Sequence, residues 1–66
     1  MELYLKLEDE FQELIEKIKK LEEFILSDKY QTLPDESQSY LFIQKEAMKT
    51  YGSCLVARMK LIMREV

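Results

Sequence analysis

Residues 3–25 read LYLKLEDEFQELIEKIKKLEEFI. Tyr4, Leu7, Phe11, Leu14, Ile18, Leu21 and Ile25 follow one another in alternating steps of three and four, an unbroken a/d seam. At about 100° per residue these side chains share an arc of roughly 100°. Leu3 and Ile15 widen the stripe slightly. The positions between them are mostly Glu, Lys and Gln, which favour helix. Glu13–Lys17 and Glu16–Lys20 are i,i+4 pairs in the favoured orientation. The spacing predicts a helix over about residues 2–27, roughly 40 Å long.

The helix runs into SDKYQTLPD (27–35), which punctuates the chain. Ser27 and Asp28 are turn or cap residues, Thr32 is a candidate cap for a following helix, and Pro34 suits its first turn. Asp35 with Gln38 forms a candidate capping box. Tyr30 and Leu33 are too apolar for a free linker and are expected to fold under the bend. A bend over about 28–34 is short enough to make the flanking helices antiparallel neighbours.

The second helix, about 35–64, is patterned more broadly. Leu41, Met48, Leu55 and Ile62 recur every seventh residue, interleaved with Gln44, Tyr51 and Arg58. Tyr40, Ala47, Cys54 and Leu61 form a second row, and Gly52, Val56, Met59 and Met63 flank the other side. One partner helix cannot cover so wide an apolar arc. Expectation is therefore an all-α fold, an antiparallel two-helix hairpin assembling into a helical-bundle homo-oligomer of at least two copies. Leu41, Met48, Leu55, Ile62, Ala47, Cys54 and Met59 are the expected oligomer interface, with the acidic first helix outside.

Composition narrows the function. A chain of 66 residues is one small domain, and with one Cys it forms no internal disulfide. Histidine is absent, which removes the commonest general base and the commonest zinc ligand. No Gly-rich phosphate loop, nucleophile–base pairing or metal motif is present, so neither a catalytic residue nor a cofactor is expected. The acidic start MELYLKLEDE does not read as a signal peptide, and no apolar run reaches the roughly 20 residues of a membrane span. A soluble intracellular protein is expected.

Net charge is −3, unevenly placed. Residues 1–28 carry nine acids and four lysines, whereas residues 40–66 carry two acids and five bases (Lys45, Lys49, Arg58, Lys60, Arg64). An acidic half beside a basic half reads as a self-complementary pair. Duplex-binding proteins carry a denser basic footprint, so nucleic acid is not an expected partner.

Gln44, Tyr51 and Arg58 admit two readings. As a ligand site, Arg58 would grip a phosphate or carboxylate, Tyr51 would stack on a base, and Gln44 would read an amide-like edge, with Lys45 and Lys49 in support. As a structural layer, they would hydrogen-bond across an oligomer seam and set its register. Met48, Met59 and Met63 read as core filler or as an adaptable surface. Cys54 reads as a small hydrophobe on a buried face rather than as a nucleophile. The glutamates of the first helix lie on its polar face and read as solubilising. Gly52, costly inside a helix, points to a close backbone contact or a slight bend.

The stretch LEEFILSDKYQTL (21–33), with Gln44, AMKTY (47–51) and Arg58, resembles a family of very small bacteriophage proteins related to those of crAss-like phages. The resemblance spans about residues 7–62. It implies two helices around a Ser-Asp/Glu-Lys-Tyr/Phe bend, an Ala-Met-x-x-Tyr segment in the second helix, and a place in the cytoplasm of an infected bacterial host. It imports no settled activity. By analogy of size and helical make-up, it suggests a sponge that sequesters a cyclic nucleotide or related anionic signal of anti-phage immunity. The alternative is an oligomeric interaction module that binds or inhibits a host or phage protein.

Overall fold

The computed structural model describes residues 1–65 and is all-helical over its ordered elements: α1 (Glu2–Ile25), α2 (Asp28–Gln31) and α3 (Asp35–Glu65). It is a rod of 50 × 15 × 12 Å with a radius of gyration of 15.2 Å. A compact chain of this length would have a radius near ~11 Å. The core is accordingly a single seam between α1 and α3.

All seven seam residues of α1 are buried or half-buried. Leu7, Leu14 and Ile18 form the core with Leu55 of α3, and Phe11, Met48, Met59 and Ile62 pack against it. The order of pairing is reversed along the two helices. Tyr4 shares a groove with Met63, Gly52 lies against Phe11 and Leu14, and Lys49 reaches Glu22.

α1 stops two residues earlier than the heptad pattern predicts. Ser27 turns to extended backbone (φ −84°, ψ 159°), and both its N–H and its hydroxyl donate to the Phe24 carbonyl. The bend is not simple loop, because α2 supplies one helical turn within it. Thr32 caps that turn rather than α3, its hydroxyl donating to the Lys29 carbonyl at 2.7 Å. Pro34 stands immediately before α3, and its carbonyl accepts from the Gln38 N–H. The Gln38 side chain reaches back to the Leu33 carbonyl at 2.9 Å, tying the bend to the helix it precedes. Tyr30 closes the end of the seam, edge-on to Phe24 and donating its hydroxyl to the Gln38 carbonyl.

Candidate functional site

α3 presents three faces, set by how far each row lies from the Leu55 line. Leu55 is fully enclosed and has no surface left for a second copy. Leu41, Met48, Met59 and Ile62 are half-buried; of these Met48, Met59 and Ile62 pack on the same core. Leu55 therefore serves the seam inside the chain, while Leu41, Met48, Met59 and Ile62 keep part of their surface exposed. Leu55 sits opposite α1, so the most apolar row is the first to be covered.

Ala47 and Cys54, from the same expected interface, are exposed. Cys54 is exposed in the single chain: it is one residue before Leu55, about 100° round the helix, and so points away from α1. Tyr40 and Leu61, on the same row, are 64% and 54% exposed.

Gln44, Tyr51 and Arg58 are also exposed, one heptad apart on α3, so about 10 Å separates successive members along the axis. Their proposed helpers are less available than the sequence suggests. Lys45 is half-buried, its ammonium 4.4 Å from the centre of the Phe42 ring and 3.7 Å from Glu46. Lys49 is held by Glu22 at 3.0 Å, and that hydrogen bond and charge raise its pKa above the ordinary 10.5.

On the other flank a groove of about 520 Å³ opens between the start of α1 and the end of α3. It is lined by Tyr4, Val56, Met59, Lys60, Met63 and Arg64. Small-molecule sites usually span ~300–1,000 Å³. Among the described residues neither Lys60 nor Arg64 is in an ion pair. An aromatic ring, thioethers and two available cations thus meet in one concavity. A second groove continues from it along Phe11, Ile15, Val56 and Lys49. The charge row of α3 hinted at Lys60 and Arg64, but their meeting with Tyr4 depends on the reversed pairing of the helices.

Among the described residues no cluster of His, Cys, Asp or Glu could hold a metal ion, and no helix is long and apolar enough to cross a membrane. No curated protein and no solved structure matches the chain. A family model does match, over residues 1–61, which is nearly the whole chain and includes the bend, the Tyr51–Arg58 row and the groove as far as Lys60. The family's name denotes sequestration, which makes the plain functional statement a binding one. On that match the chain belongs to the Sequestin family.

Proposed function

We propose that this protein acts by binding rather than catalysis, sequestering a small anionic signal of the cyclic-nucleotide class. Family membership supports the sequestering role. The observation that carries the ligand class is the groove of Tyr4, Met59, Met63, Lys60 and Arg64. A guanidinium and an ammonium without ion-pair partners among the described residues suit phosphate, and an aromatic and thioether wall suits a flat base. The lack of histidine weighs against acid–base chemistry on whatever is held. Resemblance to small phage proteins supports a setting in the cytoplasm of an infected bacterium, where capture of an immune signal would blunt host defence.

The protomer in this reading is the antiparallel hairpin of α1 and α3, and the working form is a homo-oligomer. Exposed Tyr40, Ile43, Tyr51 and Leu61 on α3 support self-association, since a rod this thin buries little core alone. The same exposed row favours the second reading, an interaction module that binds or inhibits a host or phage protein.

Calorimetry against a panel of cyclic di- and trinucleotides and NAD-derived signals tests the proposal. Binding that disappears in Lys60→Ala/Arg64→Ala supports the groove. Loss on Arg58→Ala or Tyr51→Ala instead moves the anion to the Gln44–Tyr51–Arg58 row. Silence across the panel, with capture of one specific protein from infected cells, sinks the signal-binding idea in favour of the interaction module.

A further inference from the structure

The outer stripe of α3 is self-complementary about Ala47. Its exposed residues are Glu36, Tyr40, Ile43, Ala47, Tyr51, Cys54, Arg58 and Leu61. Ile43 and Tyr51 stand four residues either side of Ala47, Tyr40 and Cys54 seven, and Glu36 and Arg58 eleven. Each pair joins groups that suit one another: aliphatic with aromatic, bulky with small, anion with cation.

We propose that this stripe is the seam of a two-fold antiparallel homodimer whose axis passes beside Ala47. It rests on the self-association read above and specifies its geometry. Antiparallel pairing about that axis sets each residue opposite its mate on the second copy. Ala47 meets Ala47 of the second copy, so the helices approach most closely at the axis. Tyr40 lies over the small Cys54 of the second copy. Glu36 meets Arg58 of the second copy twice, once at each end. Neither Glu36 nor Arg58 is in an ion pair among the described residues of a single chain. Parallel pairing in register would instead set Arg58 on Arg58 and Glu36 on Glu36, which is repulsive. The seam also takes up four of the large apolar side chains of α3 that α1 leaves exposed, Tyr40, Ile43, Tyr51 and Leu61, while Phe42 and Met63 lie outside it. It leaves Lys60 and Arg64 outside, so the groove stays open to a ligand.

The lone native cysteine makes the register measurable. Tyr40 and Cys54 of one chain are about 21 Å apart along the helix, too far for a disulfide. Under mild oxidation Tyr40→Cys is expected to give a covalent dimer through Cys54 of the second copy. Wild type and Tyr40→Cys/Cys54→Ser are expected to give none. In sedimentation equilibrium, Glu36→Arg and Arg58→Glu are each expected to weaken the dimer by roughly tenfold, as two symmetric pairs turn repulsive, and the double variant to recover it. Wild type cross-linking through Cys54 alone, or a Tyr40→Cys protein that sediments as an oligomer without cross-linking, overturns the register and leaves self-association standing. A wild type that sediments as a folded monomer overturns both, and leaves ligand capture by the groove to stand or fall on its own calorimetry.

Discussion

Lys49 Nζ lies 3.0 Å from Glu22 Oε2 and bridges α3 to α1 at the end of their seam nearest the bend. Both side chains remain nearly half exposed, so the bridge is open to screening by salt. The carboxylate's hydrogen bond and charge raise the Lys49 pKa above 10.5, against a smaller opposing effect of desolvation. A pKa raised by folding means the bridge stabilises fully below 10.5 and loses its effect as pH rises through the folded value. Urea midpoints are therefore expected to fall more steeply above that pH in wild type than in Glu22→Gln. The variant should also lose part of the salt dependence. Equal slopes in the two proteins would show that the bridge does not act in solution.

Gly52→Ala is expected to stabilise the protein. Gly52 is buried in mid-helix, and a Cβ placed there would meet Leu14 Cδ2 at 3.5 Å and Phe11 Cε1 at 3.8 Å. Those are ordinary van der Waals distances, so alanine fits without displacing its neighbours. Helix propensity then favours alanine by about 0.8–1 kcal/mol. Gly52→Leu has no such room and is expected to separate the helices. Thermal melts of both variants followed at 222 nm check the opposite signs.

The α1 seam was legible because its apolar positions follow one period and alternate with charge. The seven seam residues from Tyr4 to Ile25 are buried or half-buried as that pattern demands. α3 was harder, because three apolar rows adjoin and periodicity alone does not say which faces α1. Leu55 and Gly52 decide it, one by complete enclosure and the other by close approach to Phe11 and Leu14. Cys54 sits one residue before Leu55, on a neighbouring row that α1 leaves uncovered. The complementary charges of the two halves pointed to pairing between the helices, but not to its partners: Lys45 lies over Phe42 and Lys49 pairs with Glu22 across the seam. The Tyr4–Arg64 groove joins opposite ends of the chain, and no local pattern encodes that meeting.

Leu55→Ala is expected to cost about 2–5 kcal/mol, the usual range for a buried leucine. A domain of this size holds on the order of 3–10 kcal/mol in total. Among the described residues Leu55 is the side chain with no exposure at all, and the three other buried apolar side chains all come from α1. The variant should lose much of its helical circular dichroism near room temperature. Leu26→Ala removes a leucine that is 87% exposed and should leave the melt within about 0.5 kcal/mol of wild type. A Leu55→Ala protein as stable as Leu26→Ala would contradict the placement of the seam.

Tyr30 links the bend to both long helices, which makes its two functions separable. Its ring meets Phe24 of α1 edge-on at 6.3 Å, and its hydroxyl donates to the Gln38 carbonyl of α3 at 2.9 Å. Tyr30→Phe keeps the ring contact and deletes one hydrogen bond, a loss of about 0.5–1.5 kcal/mol. Tyr30→Ala removes both and should cost more, since an edge-on aromatic pair adds about 0.5–1.5 kcal/mol beyond the area it buries. Gln38→Ala should cost at least as much as Tyr30→Phe, because the Gln38 side chain donates to the Leu33 carbonyl at 2.9 Å and to the Gln31 carbonyl at 3.4 Å. Hydrogen exchange localises the effect. Amides of residues 28–38 are expected to exchange faster in all three variants, while those flanking Leu14 and Leu55 should move only with global stability. Uniform acceleration along the whole rod in Tyr30→Phe would mean that the bend and the seam unfold as one unit.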